Sequence, residues 1–380
     1  MTVERILPTE EANDLLGLTR EIADAELAPR AGDFEARGEF PRDVLRTLGQ
    51  AGLLGLPYPE EYGGGAQPYE VYLQVLEELA YRWLTIAEAV SVHALACYPV
   101  AAYGTDDQRK RFLPDFLGGD LLGAYCLSEP QGGSDAASLA TKATKTGDQY
   151  VVNGTKAWIT HAGVADFYNI FCRTGAEGPK GISCLLADAD NPGIQPQRRE
   201  RTMGLTGSPV AQIVFSDARV PADRLVGGEG AGFSIAMSAL DSGRLGIAAC
   251  AVGLAQAALD YAVRYAKERD QFGQSIISFQ GIGFMLADMA TQISAARALL
   301  LATARLRDAG RPYSSQAAQT KLFATDMAMR VTTDAVQILG GYGYVADHPV
   351  ERYMREAKLL QIVEGTNQIQ RMVISRHLAR

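Results

Sequence analysis

Cysteine and histidine are scarce: the chain has five of the first and four of the second in 380 residues. The cysteines, Cys97, Cys126, Cys172, Cys184 and Cys250, form neither CxxC pairs nor a metal-ligand pattern with histidine. That excludes a disulfide scaffold and a zinc site and leaves buried free thiols. An excess of positive charge is missing as well. With 36 Lys and Arg against 44 Asp and Glu the net charge is −8, and a basic stripe for nucleic acid is not expected. No apolar run reaches the roughly 18 residues that a membrane helix requires, so no membrane insertion is expected. The start, Met1-Thr2-Val3-Glu4-Arg5 with Glu10 and Glu11 close behind, lacks both a secretory apolar stretch and an Arg-rich transit segment, and a cytoplasmic protein is the expectation.

What is present is a globular composition, 47% hydrophobic and 21% charged, in a chain too long for one ordinary core. Its texture changes twice. Residues 1–122 read as an α-helical domain. Pro41 suits the first turn of a helix over 42–50, Gly63-Gly64-Gly65 breaks the pattern, and 70–96 is apolar enough to be a helix buried on several sides. His93 within it reads as a hydrogen-bonded core residue. Residues 123–232 read as a β domain, with β-rich runs at 150–152, 167–172, 182–186 and 211–215, and Asn153-Gly154 predicts a tight hairpin turn. Residues 233–380 return to the helical period. Ile247, Ala251, Leu254, Ala258, Tyr261 and Tyr265 form one seam, and Leu286, Met289, Ile293, Ala296 and Leu300 a second. With helices around Ala328, Val331 and Ala335 and from Thr366 onward, they suggest a four-helix bundle. The fold class is α+β, mainly α, with a middle β-barrel or sandwich.

Five stretches could carry chemistry, and each also has an ordinary structural account. Tyr125-Cys126-Leu127-Ser128-Glu129-Pro130-Gln131-Gly132-Gly133-Ser134-Asp135 enters like a strand and ends in a glycine-rich turn, whose N–H groups suit anionic or carbonyl oxygens; alone it is a surface turn. Trp158-Ile159-Thr160 sets an aromatic face beside a hydroxyl, enough to shield a flat ring and bond its edge, though Trp158 could equally be sheet core. Arg269-Asp270-Gln271-Phe272-Gly273, with Phe279-Gln280 behind it, offers a guanidinium fork to phosphate or simply a cation at a helix end. Gln337-Ile338-Leu339-Gly340-Gly341-Tyr342-Gly343-Tyr344 has more glycine than one helix cap needs, and a close backbone approach to a ligand would use it.

The fifth stretch, Leu359-Leu360-Gln361-Ile362-Val363-Glu364-Gly365-Thr366-Asn367-Gln368-Ile369-Gln370, places one carboxylate after an apolar run and just before a Thr that can cap a helix. Two effects oppose each other at Glu364. A helix N-terminus favours the anion by only about 0.3–1 kcal/mol, whereas full desolvation raises a carboxylate by up to roughly 3–5 pKa units. Desolvation wins once a ligand displaces water, and a base with a raised pKa suits a weakly acidic carbon-bound proton. A first-turn helix residue without chemistry is the competing account.

Together and in this order, the five stretches resemble the acyl-CoA dehydrogenase family over nearly the whole chain. The resemblance implies a helical, a β and a four-helix domain in sequence, bound FAD, and usually a homotetramer. It implies flavin contacts from Tyr125, Leu127, Ser128, Gly133 and Ser134, with Trp158, Ile159 and Thr160 around the reactive edge and Thr160 bonding near N5. Arg269, Gln271, Phe272, Phe279, Gln280, Gln337, Gly340 and Gly341 would meet the ADP half, partly across a subunit interface, and Thr366, Asn367 and Gln368 would make the last FAD contacts. Ser134, Asp241, Arg244 and Gly365 match positions that touch acyl-CoA, and Glu364 matches the catalytic base. Some relatives carry that glutamate instead at the position of Gly243, and the Gly243-Arg244 pairing resembles short-chain and branched-short-chain members. Val363 stands where many members have Tyr, which alters pocket volume.

The reaction so implied is α,β-dehydrogenation of an acyl-CoA. Glu364 takes the α proton, the β hydrogen leaves as hydride to flavin N5, and a trans-2-enoyl thioester results. Reduced flavin would then pass electrons to an electron-transfer flavoprotein. Two alternatives keep the fold: a flavin oxidase or monooxygenase, and a non-catalytic acyl-thioester-binding protein.

Overall fold

The computed structural model describes residues 5–379. The expectation built on Met1 to Glu4 lies outside them. Helix α1 (Glu10–Ile22) begins where the Thr9 side chain accepts from the Ala12 amide and continues into a π-turn at Ala23–Leu27. α2 (Ala31–Arg37) and α3 (Arg42–Gln50) follow, with Pro41 at the N-cap of α3. α4 (Tyr69–Arg82), α5 (Leu84–Tyr103) and α6 (Asp106–Leu117) complete this region. The reading of 70–96 as one helix is corrected to two. Trp83 between them is extended, with φ −157°, and its ring is anchored by an Nε1 bond to buried Glu35 at 2.8 Å. His93 is a core residue as expected: it is buried, its Nε2 lies 2.8 Å from the Phe116 carbonyl, and its Nδ1 accepts from the Gly123 amide at 3.1 Å.

The middle region is one sheet. β1 (Gly123–Cys126), β2 (Lys142–Thr146), β3 (Gln149–Thr160), β4 (Phe167–Arg173), β5 (Ile182–Asp188), β6 (Ile194–Pro196), β7 (Val210–Pro221) and β8 (Leu225–Val226) pair in the order β6-β7-β3-β2-β4-β5-β8, with β1 parallel beside β4. All four β-rich runs lie in strands. The hairpin turn expected at Asn153-Gly154 is corrected, because β3 runs through both residues and the β2–β3 turn falls at Gly147, φ +63°. Gly154 marks a register shift against β7, and a side chain on it would meet Thr141 at 2.6 Å. Glycine is required there for close approach at a bulge, a use that shares its sequence signal with a turn.

The last region holds α7 (Gly232–Glu268), α8 (Gln280–Asp308), α9 (Ser314–Leu339), α10 (Val350–Leu360) and α11 (Asn367–Leu378), with a small hairpin of β9 (Asp270–Gln271) and β10 (Gln274–Ser275) between α7 and α8. α7, α8 and α9 pack lengthwise, and α10 and α11 both pack on α9. The predicted seams face inward, from Ile247 to Ala258 and from Leu286 to Leu300. Roughly 55 Å long, α7 is the spine of the protein. Gly246 and Gly253, seven residues apart on one face, let α5 and α4 come close: side chains there would meet Ser91 Oγ and the Glu77 carbonyl, each at 2.3 Å.

The expectation that no stretch could span a membrane is also corrected. α5, α7 and α8 are each long and apolar enough by length and composition. Isolated polar residues, such as Glu88, Ser91 and His93 in α5 and Gln256 in α7, break the apolar runs without bringing the mean hydropathy down. The apolar windows of α5 and α7 are 89% and 83% buried inside the protein, whereas that of α8 is 28% buried. α8 therefore presents an apolar face that this chain does not cover.

Substituting Gly154→Ala should lower stability by about 1–3 kcal/mol, because a Cβ there clashes with backbone as well as side-chain atoms of Thr141. Denaturant midpoints read this directly, and an unchanged midpoint would mean that the strand yields freely.

Candidate active site

The loop between α10 and α11 is held in an unusual shape. Glu364 has φ +53° and Gly365 φ +89°, and Thr366 then caps α11 by accepting from the Ile369 amide at 3.3 Å. Two side chains brace it from inside. Lys321 of α9 donates to the Gly365 carbonyl at 3.0 Å and to Asn367 Oδ1 at 2.9 Å, and Gln370 donates to the Gly365 carbonyl at 2.7 Å. The bent loop drives the Glu364 side chain inward against α7.

Both Glu364 carboxyl oxygens are buried and have no hydrogen-bond partner among the described residues. They fill the space beside Gly243: a Cβ on that glycine would lie 2.0 Å from Oε2. Burial pushes the Glu364 pKa up to about 8, Lys321 and Arg244 pull it down, and Glu88 pushes it up. Desolvation dominates, as reasoned from sequence, and the protein alone supplies it before any ligand arrives. Arg244 is itself buried and paired with Asp241 at 2.5 Å, and Ser314 donates to the same Asp241 oxygen at 3.0 Å. Tyr125, near the end of β1, joins this cluster; its ring leans on Phe171, its hydroxyl donates to the Ala236 carbonyl at 3.3 Å, and its pKa is raised first by burial and, to a lesser extent, by groups that include Glu364.

A second group forms where β3 ends. The register shift between Lys156 and Ile159 turns Trp158 outward at φ +61°, and it is 64% exposed, so it is not sheet core. Ile159 is buried, and Thr160 donates to Glu88 Oε1 at 3.3 Å. Along the glycine-rich stretch Leu127 is buried, Ser128 half-buried, and Gly133 and Ser134 exposed. Beneath it Lys156 reaches Glu129 at 2.8 Å in a buried ion pair; the lysine and two backbone amides hold the Glu129 carboxyl at about 2 against the cost of burial.

The third group is a groove of about 1050 Å³ whose lining includes Arg269, Gln271, Phe272, Phe279, Gly340 and Gly341. Nothing lies within 4 Å of where side chains on Gly340 and Gly341 would point. Gln280 and Gln337 are exposed and outside the lining. This groove meets the far end of α9, roughly 28 Å along that helix from Lys321. The structure thus gathers Glu364, Gly365, Asp241, Arg244 and Tyr125 into one cluster and keeps the groove apart.

Three consecutive segments match the acyl-CoA dehydrogenase N-terminal, middle and C-terminal domains, over residues 9–120, 124–218 and 230–379. An acyl-CoA dehydrogenase of Bacillus subtilis (strain 168) is 43% identical over 97% of this chain and 98% of its own length. The chain belongs to the acyl-CoA dehydrogenase family. Among solved structures, butyryl-CoA dehydrogenase from Megasphaera elsdenii superposes with a TM-score of 0.97 at 41% identity, covering 99% of this chain and 100% of that one. A chain from work on the electron transferring flavoprotein of Acidaminococcus fermentans gives 0.97 at 43% identity, over 99% of this chain and 100% of its own.

Like its family, this acyl-CoA dehydrogenase is an oxidoreductase that uses FAD. Its residues fit that cofactor on their own terms: an outward aromatic beside a hydroxyl at 158–160, a guanidinium at the groove, open glycine backbone at 340–341, and a buried carboxylate lacking a partner. Asn367 fits less directly. Its amide is spent on Lys321, Thr325 and Asp326, so the side chain braces the loop. Gln368 is exposed.

Sequence reasoning missed Lys321, Glu88 and the Glu129–Lys156 pair. Glu88 left a trace, as the only acidic residue between Leu84 and Ala96. Lys321 left none, since a lysine on a helix ordinarily faces water.

Gly243→Ala should leave the fold intact, because only a flexible side-chain tip must move, yet displace the Glu364 carboxylate. A loss of about 100-fold in turnover is expected for a displacement near 1 Å. Steady-state assay beside circular dichroism checks it; full activity would show that the carboxylate tolerates the shift.

Proposed function

We propose that Glu364 is the base that takes the α proton of a short-chain acyl-CoA, in a cytoplasmic homotetramer that passes electrons to an electron-transfer flavoprotein. One observation carries the reading: a buried carboxyl with no hydrogen-bond donor among the described residues, its pKa pushed up to about 8 by burial. An ordinary carboxylate is too weak a base for a carbon acid, and drying it narrows the gap. Lys321 and Arg244 pull the value back only part of the way, so the free carboxyl is still largely protonated at pH 7 and gains its basic form as pH rises through about 8.

Bound FAD supplies the acceptor for the hydride that leaves the β carbon. Trp158, Ile159 and Thr160 would flank its reactive edge, and Tyr125, Leu127, Ser128, Gly133 and Ser134 would run along the ring. Thr366 and Gln368 stand at the base's own loop. The groove at Arg269, Gln271, Phe272, Phe279, Gly340 and Gly341, with Gln280 and Gln337 beside it, would take the ADP half of a cofactor shared with another subunit. Its distance along α9 from the Glu364 loop supports that sharing, and the uncovered apolar face of α8 is where a second copy would pack.

Short acyl chains suit the packing beyond the base. About one turn after Gly243, Gly246 brings α7 close against Ser91 of α5, and this tight packing near the base supports a short acyl chain. Asp241, Arg244, Ser134 and Gly365 would hold the rest of the thioester substrate. The similarity to butyryl-CoA dehydrogenase supports the same length range, and rapid peroxide formation in air would instead favour an oxidase.

Glu364→Gln should keep yellow, bound FAD and lose at least about 100-fold in flavin bleaching by butyryl-CoA, the low end of general-base effects. Near-wild-type bleaching would refute the assignment. The base must be ionised to act, so kcat/KM should rise with pH and level off above about 8. A plateau already reached at pH 6 would contradict the dry carboxylate.

A further inference from the structure

Glu88 is a buried carboxyl that the mechanism above leaves unused. It sits on α5, 2% exposed. Thr160 Oγ1 donates to its Oε1 at 3.3 Å, and Ser208 Oγ donates to its Oε2 at 3.1 Å. We infer that Glu88 is a positioning residue for the flavin edge, its hydrogen bond to Thr160 deciding whether that hydroxyl's proton is held inward or freed toward the cofactor. The inference rests on the reading that Thr160 lies at that edge.

A threonine hydroxyl has one proton to give. When Glu88 is ionised it can only accept, so the Thr160 proton points at it. When Glu88 is protonated, its own O–H can donate to Thr160 Oγ1, and the threonine proton becomes free for another acceptor. The two states therefore present opposite ends of the Thr160 dipole to the site.

Glu35 shows what a purely structural buried carboxylate looks like in this fold. It collects bonds from the Trp83 indole, the Thr85 and Thr206 hydroxyls and the Gly207 amide, and they hold its pKa below the usual value. Among the described residues Glu88 has two donors, both hydroxyls. Burial pushes it up to about 7, Ser208 and Thr160 pull it down, and Glu35 pushes it up. The titratable groups that act on it or feel it are Glu35 from α2, Glu364 from the α10–α11 loop and the Cys250 thiol from α7, none of them cationic. Glu88 is thus left able to exist in either state near neutrality, where Glu35 is not.

The test compares FAD-loaded wild type with Glu88→Gln, Ser208→Ala and Thr160→Val, reading the flavin absorption band and the two-electron midpoint potential from pH 6 to 8.5. Wild type should show an inflection near pH 7 in both, with the potential falling more steeply as Glu88 ionises. Glu88→Gln should lose the inflection. Ser208→Ala, which removes a donor that favours the anion, should move it to higher pH. Thr160→Val should displace the band at every pH. If Glu88→Gln tracks wild type while Thr160→Val is displaced, the relay is wrong and the Thr160 reading stands. If Thr160→Val matches wild type throughout, the underlying reading fails.

Discussion

Water exclusion around one carboxylate is the constraint on which the rest of this structure depends. Glu364 can be dry only because Gly243 leaves a gap in α7 and because the loop before α11 bends through two positive φ angles to fill it. A non-glycine residue in that conformation costs on the order of 1–3 kcal/mol, and persists only where its surroundings enforce it. Lys321, Gln370, Asn367 and the Thr366 cap provide the enforcement. The base is therefore built by groups that touch the loop rather than by groups that touch the carboxylate.

The electrostatics follow the same division. Lys321 spends its hydrogen bonds on a carbonyl and an amide, and Arg244 is paired with Asp241, so neither cation bonds directly to Glu364. They act at a distance, enough to temper desolvation and too little to cancel it. Burial lowers Lys321 itself to about 7. A direct ion pair would have produced a strongly ionised, weakly basic carboxylate like Glu129, which its buried lysine and two backbone amides hold at about 2.

Much of this was legible from the residues. Periodicity located α7, α8 and α9, because an apolar seam sustained over several turns fits a helix packed lengthwise and little else, and the β-rich runs located four strands. Thr366, two residues after Glu364, marked the cap, whereas the bend at Glu364 and Gly365 appeared only in the structure. Other features share their signal with something more common. Asn153-Gly154 carries turn chemistry but serves a bulge, since its glycine is demanded by Thr141 on a neighbouring segment that no local pattern reveals. Trp83 splits a helix through an anchor to Glu35, 48 residues away. Lys321 is a helix lysine like any other until the loop it braces is in place. The membrane expectation failed because it looked for unbroken apolar runs, while in α5 and α7 isolated polar residues such as Glu88, His93 and Gln256 interrupt the run and leave the mean hydropathy high.

Direct titration of the Glu364 carboxyl tests the central claim, by infrared difference spectroscopy of the FAD-loaded, substrate-free enzyme with Glu364→Gln subtracted to separate it from Glu88 and from Glu356 of α10, a second carboxyl that burial pushes up to about 8. The account predicts a protonated carboxyl band that persists at pH 6.5 and disappears with a midpoint near pH 8. A carboxylate already fully ionised at pH 6 would contradict it.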